Sequence, residues 1–269
     1  MKRERGAAFD ELLGYIEREL DFESGFYNDA YLDRRINARM RRTGIDDYRP
    51  YQRLLEDDEG ERAALLDSLS INVTGFFRNP EAWESLRGVL RDLTAENRTV
   101  SVWSAPCADG REPYSIAMLA LDDDEIDARR VEILGTDINH DILSTARAGR
   151  YEATQTTDIE AELEPLDAYE PYVDRQGEVF TVTDRVRDLV TFERHDLIRG
   201  REKEGFDLVC CRNLLIYIDA DYKVPIFETI TGSLVEGGYL MIGMTETLPS
   251  EFRDRYDPVE KKHRIYRRA

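Results

Sequence analysis

VWSAPCADGREPYSIAM (residues 102–118) decides the fold. An apolar run ends near Ala105, a loop holding Gly110 follows, and a helical pattern begins after it. Strand, glycine loop and helix in that order are the local plan of an α/β sheet. Such sheets bind cofactors at the carboxyl ends of their strands. A glycine at 110 lets the backbone approach a ligand closely. G-x-G-x-x-G is missing, so the dinucleotide fingerprint is absent and a pyridine-nucleotide oxidoreductase is disfavoured.

Outward from this segment the same texture repeats. The β-rich runs TVSVWSA, VEILGTD, FDLVCCR and YLMIGMT alternate with the helical segments EPYSIAMLALD, HDILSTARAG and ADYKVPIFETITGSL. Strands alternating with helices predict βαβ units and a parallel sheet over residues 86–269. Residues 171–193 carry two or three β-like runs and few helical signals, and predict a small antiparallel insertion. Residues 1–85 read as an all-helical domain. In AFDELLGYIEREL the positions Phe9, Leu12, Leu13, Ile16 and Leu20 follow a 3.6-residue period. Further helices are expected over 28–42, stopped by Gly44, and over 47–57 and 61–71.

Composition narrows the function. The net charge of −19 opposes general nucleic-acid binding, because a polyanion is repelled. Lysine occurs only at positions 2, 203, 223, 261 and 262, and arginine supplies the rest of the 37 basic residues. An acid-rich, lysine-poor surface suits a salt-loaded cytoplasm, where screening makes high net charge tolerable, so a halophilic source is expected. No apolar run reaches the roughly 20 residues a membrane span needs, and the charged N-terminus does not read as a secretory signal. A soluble cytoplasmic protein is expected. Cys107, Cys210 and Cys211 read as buried reduced thiols, and His140, His195 and His263 are dispersed, so no metal site is expected.

Four features carry chemistry. YLDRRINARMRR (31–42) crowds Arg34, Arg35, Arg39, Arg41 and Arg42 onto one helix, a local reversal of sign. Either these arginines pair with surface acids, or Arg34, Arg35 and Arg39 dock an acidic helix through their guanidinium forks. Asp137 ends the apolar strand of VEILGTDINHDIL, where an acid can accept two ribose hydroxyls. It could instead cap the following helix, but Asn139 is available for that. SINVTGFFRNP (70–80) sets two phenylalanines beside Arg78. FDLVCCRNLLIYID (206–219) is a buried strand that runs into Arg212 and Asn213, with Tyr217 close behind; Asn213 could also be a helix cap.

In this order and spacing SINVTGFFR, VWSAPCADGREPYSIAM, LGTDINHDIL, ARAGRY, CCRNLLIYID and GGYLMIGMTETL resemble the chemotaxis receptor glutamate methyltransferases, the CheR type, over residues 8–268. The resemblance implies a helical N-terminal domain, a Rossmann-like methyltransferase domain and a small antiparallel β-subdomain. It implies S-adenosylmethionine as cofactor and S-adenosylhomocysteine as product. Cofactor contacts are implied from Asn72, Thr74, Arg78, Glu112, Asp137, Asp196, Leu197, Arg212 and Asn213. Arg78 and Tyr217 match the positions nearest the transferred methyl. The implied partners are the cytoplasmic methylation helices of chemotaxis receptors, and a monomer is expected.

Some residues depart from the family pattern: Arg111 stands for a usual acid, Asp196 for an Asn, and Met-Thr-Glu at 244–246 for His-Ser-Glu. The β-subdomain is short, with Gly177 its one glycine, so docking independent of a receptor C-terminal pentapeptide is expected. The chemistry suits the sparse equipment, since a glutamate side chain is already ionised at neutral pH and needs no general base. The competing readings are a methyltransferase acting on another carboxylate or a small molecule, and a non-catalytic module that binds the cofactor as a sensor.

Overall fold

The computed structural model describes residues 2–20, 22–69, 74–201 and 203–269. The chain divides into two compact units, residues 1–72 with 217–223, and residues 73–216 with 224–269.

The first unit is helical. Helices α1 (Lys2–Glu19), α2 (Asp29–Thr43), α3 (Tyr48–Asp57) and α4 (Glu59–Leu69) enclose Leu12, Ile16, Leu32, Ile36, Tyr51, Leu55 and Leu65, all fully buried. Asn28 caps α2, its side chain accepting from the Tyr31 N–H. Gly44 ends that helix at φ 74, a left-handed turn that glycine enters without a Cβ clash. The segment 217–223 joins this unit through backbone bonds: Asn28 N–H donates to Tyr217 O, and Asp219 N–H to Phe26 O, each at 2.9 Å.

The second unit opens with α5 (Glu81–Glu96), which buries Trp83, Leu86 and Leu90 in the core of the sheet. The expected domain boundary at residue 85 falls inside this helix, because its apolar stripe faces the sheet. Strands β1 (Val100–Ser104) and β2 (Val131–Asp137) follow, with α6 (Arg111–Asp122) between them. After β2 come α7 (His140–Ala148), β3 (Arg150–Glu152), α8 (Ile159–Glu162), β4 (Val173–Gln176), β5 (Val179–Val182), α9 (Asp184–Arg187) and β6 (Val190–Arg194). The chain closes with β7 (Phe206–Cys211), α10 (Ala220–Ser233), β8 (Leu234–Ile242), β9 (Tyr256–Glu260) and β10 (Ile265–Arg268).

The main sheet runs β6-β2-β1-β7-β8-β10-β9. Its first five strands are mutually parallel, and β10 pairs antiparallel with both β8 and β9. Chain direction across the sheet reverses between β1 and β7, the switch point at which open α/β sheets bind ligands. A second sheet, β3-β5-β4, is antiparallel.

That second sheet corrects the expected insertion at 171–193. Its first strand lies at 150–152, and VTFER, residues 190–194, pairs in parallel with β2 as part of the main sheet. The error has a physical cause: β6 is short and half-exposed as an edge strand, so its alternation looks like that of the hairpin before it.

Candidate functional site

The loop after β1 packs closely against α7 and β6. Gly110 stands at φ 89, where an added Cβ would come within 2.9 Å of Ala146 and 3.0 Å of Phe192. Phe77, Asn79, Ala108 and Asn213 are four of the five non-glycine residues with positive φ among those described. All four lie in the loops at the carboxyl ends of β1 and β7 or in the segment before α5. Such backbone conformations cost about 1–3 kcal/mol each and gather where function demands them.

Three carboxyls organise these loops, Glu112 and Glu246 buried and Asp137 half-buried. Glu112, in the first turn of α6, accepts from Ser104 Oγ at 2.8 Å and from Arg212 Nη1 at 3.2 Å. Burial pushes its carboxyl above the ordinary value, and Arg212 opposes that rise. Arg212, only 5% exposed, donates through Nη2 to Arg78 O at 2.8 Å and to Asn79 Oδ1 at 3.3 Å. Its guanidinium lies 5.3 Å from the Trp83 ring centre, and Trp83 Nε1 donates to the same Arg78 carbonyl at 3.0 Å. Arg212 Nε is buried and has no partner among the described residues.

The second carboxyl, Asp137, ends β2. Oδ2 accepts from Ala108 N–H and Oδ1 from Asn139 N–H, each at 3.0 Å. Desolvation raises its pKa against backbone donors at Asn139, Ala108 and Ile138. A carboxylate offers about four lone-pair sites, so acceptor capacity remains. Asn139, as expected, caps α7 by accepting from Asp141 and Ile142 N–H.

Glu246 is the third, an acid to which the sequence motifs give no role. Its oxygens accept from Asn213 N–H at 3.0 Å, Leu215 N–H at 2.7 Å and Gly243 N–H at 2.6 Å. It thereby fixes the turn in which Asn213 takes φ 59. A lone acid within Met-Thr-Glu carries no periodic signal; only the packing of β7 against β8 puts it under that turn.

The remaining expected site residues divide. Thr74 and Arg78 lie along a pocket of about 400 Å³ that Asp158 and Glu162 also line. Asp196 Oδ1 accepts from Ile198 and Arg199 N–H at 2.8 and 3.1 Å, so this carboxylate closes a local turn, with Leu197 half-buried beside it. Asn72 lies outside the described residues. Tyr217 belongs to the helical unit, its ring centre 4.8 Å from that of Tyr31.

In α2, Arg39 departs from a docking role. It forks onto Glu61 through Nε at 3.1 Å and Nη2 at 2.5 Å, and Tyr51 donates to the same carboxylate at 2.6 Å. With side chains 15% and 8% exposed, the pair belongs to the core of the unit. The cause is helical phase: position 39 lies one turn after the buried Ile36 and beside Met40, so its stem points inward. Arg34 is exposed and Arg35 half-buried, their guanidiniums 5.7 and 5.4 Å from the Tyr31 ring.

Burial pushes the thiols of Cys107, Cys210 and Cys211 well up, which leaves them protonated and inert. Among the described residues no cluster could hold a metal ion, and no helix is long and apolar enough to cross a membrane.

Five parallel strands in this order, an acid ending the second strand and a glycine loop after the first form a Rossmann-like frame, and the family match makes it a methyltransferase. Residues 72–265 match the SAM-binding domain of the CheR methyltransferases, and residues 7–70 match their all-alpha domain. The chain belongs to the CheR methyltransferase family and uses S-adenosylmethionine. It is 33% identical over 239 residues to a chemotaxis protein methyltransferase of Listeria monocytogenes, covering 87% of each chain. It is 31% identical over 274 residues to chemotaxis protein methyltransferase 1 of Pseudomonas aeruginosa, covering 98% of each. A probable chemotaxis protein methyltransferase of Rhizobium etli is 34% identical over 234 residues, with 84% of this chain and 87% of that one covered.

The donor set fits the cofactor: a strand-end carboxylate with acceptor capacity left for a diol, and a buried guanidinium with an unpartnered N–H.

Proposed function

We propose that this methyltransferase esterifies glutamate side chains on the cytoplasmic helices of chemotaxis receptors, releasing S-adenosylhomocysteine. The observation that carries the reading is Arg212. From the end of β7 it holds both Glu112 of the cofactor loop and the main-chain carbonyl of Arg78, so the segment bearing Arg78 is tied to the cofactor segment. The sulfonium, when bound, supplies an activated methyl to a carboxylate oxygen. The chain's residues then need only to place that oxygen, and no proton moves. Placement can lower a barrier by about 7–11 kcal/mol.

Asp137 accepts the ribose hydroxyls in this reading. Thr74, Glu112, Asp196, Leu197, Arg212 and Asn213 surround the rest of the cofactor, with Asn72 assigned by family pattern alone. Arg78 attracts and orients the substrate carboxylate. A tight Arg–carboxylate pair would blunt the nucleophile, so placement is its main role. Tyr217 donates a hydrogen bond to the acceptor or walls its pocket.

Of the three expected docking arginines, Arg34 and Arg35 are left to dock an acidic receptor helix. The β4–β5 connection is the two residues Gly177 and Glu178, which supports docking without a receptor C-terminal pentapeptide. A monomer working in a salt-rich cytoplasm completes the proposal. The test is incubation with labelled cofactor and receptor cytoplasmic fragments. Base-labile label on the receptor is expected; transfer only to small carboxylates, or cofactor binding without transfer, would overturn it.

A further inference from the structure

Arg111 replaces an acid in the family pattern, and the structure surrounds it with opposite charge. Its guanidinium meets Asp109 at 3.0 Å and Glu162 at 3.1 Å, with side-chain exposures of 11% for Arg111, 15% for Asp109 and 25% for Glu162. It lies 5.8 Å from the Tyr151 ring centre, and the Tyr151 hydroxyl donates to Asp109 O at 2.7 Å. Glu162, at the end of α8, does a second thing: it accepts the Phe76 N–H at 2.8 Å. A Cβ added to Gly75 would stand 3.0 Å from the same carboxylate, so the chain lies directly on it. Phe77 N–H donates to Ser115 Oγ at 3.0 Å, and Ser115 Oγ donates to Arg111 O at 2.7 Å.

We propose that Arg111 and Glu162 are positioning residues for the cofactor: one carboxylate from the inserted subdomain holds the Thr74–Arg78 segment and the Gly110 loop in register. Neither touches the cofactor. Glu162 acts through the Phe76 backbone, Arg111 through Asp109 and the first turn of α6. An acid at 111 would face Asp109 and Glu162 with like charge, so the departure at 111 and the acid at 162 form a single device. Because the pair is mostly buried, molar salt screens it weakly.

This inference rests on S-adenosylmethionine as the cofactor and not on the identity of the methyl acceptor. The experiment is calorimetric binding of S-adenosylhomocysteine to the full chain carrying Arg111→Gln, Glu162→Gln or both. Each single change should weaken binding about tenfold, a coupling within the usual range for contacting residues. The double variant should bind within about twofold of either single one, in dilute buffer and in molar KCl. Arg111→Lys, which keeps the charge but not the planar fork, should lose only about threefold. Glu162→Gln keeps side-chain shape and an oxygen for Phe76, whereas Arg111→Gln is shorter and leaves Asp109 and Glu162 without their cation, so affinities are compared at a temperature at which a thermal melt shows every variant folded. Parent-like affinity in either single variant overturns the proposal, as do losses that multiply in the double. If receptor fragments stay unmethylated while this binding pattern holds, the acceptor reading fails and the positioning role stands.

Discussion

The two compact units bury charge for different ends. In the helical unit Arg39 neutralises Glu61, Tyr51 donates a hydrogen bond to the same carboxylate, and the group lies in a core with Leu55, Leu65 and Met40. In the sheet unit Asp137 and Arg212 sit at the ends of β2 and β7, Glu112 in the first turn of α6 and Glu246 in the loop after β8, and Asp137, Arg212 and Glu246 hold loop backbone. A buried pair closed on itself supports a fold. Buried charges that hold loops with positive φ support a site. Removing a charge should therefore cost stability in both units but cofactor binding in only one.

The largest expected effect is that of Glu112→Ala. Arg212 would be left buried without its carboxylate, a loss of about 3–5 kcal/mol, together with most S-adenosylmethionine affinity. Calorimetry and a thermal melt check both. Arg39→Ala is the control for the other unit: about 1–3 kcal/mol of stability lost, with cofactor affinity unchanged at a temperature where the variant is folded. A cofactor defect in Arg39→Ala would break the comparison.

Asp137→Asn should weaken cofactor binding about 10–100-fold and lower the melting temperature modestly, since the amide keeps one acceptor oxygen and turns an NH2 toward the other of the two backbone N–H donors. Its pH dependence sharpens the point. Burial lifts this carboxyl above 3.8, so it takes up a proton earlier on acidification than an ordinary aspartate. Native chains hold that proton more tightly than unfolded ones. The group therefore favours the fold more as pH falls through the window above 3.8, and that contribution is lost as pH rises through the raised value. Cofactor binding runs the other way, declining as Asp137 is neutralised. A titration in which affinity falls on acidification in the parent but not in Asp137→Asn would bear this out; identical acid limbs would count against the ribose role.

Smaller effects should follow on the surface. Arg34→Ala with Arg35→Ala should raise the receptor KM about three- to tenfold while cofactor affinity holds, measured by steady-state methylation. Lys262→Ala breaks an exposed pair with Glu81 and should leave the melting temperature unmoved.

Much of this was legible in residue order. The periods of AFDELLGYIEREL and of the β-rich runs marked helices and parallel strands, Asn28 and Gly44 bounded α2, and Asn139 was recognisable as the cap that left Asp137 for other work. These are local effects, set by neighbours within a few residues, and periodicity or capping chemistry reports them directly. Contacts between residues distant in the chain were another matter. The pairing of β6 with β2, the inward turn of Arg39 onto Glu61, the clamp of Glu246 beneath Asn213 and the meeting of Arg111 with Glu162 each depend on which segments the sheet brings together. A charged side chain looks the same in sequence whether it faces water or a buried partner. Tertiary packing alone decided which charges are desolvated, and so which of them build a site.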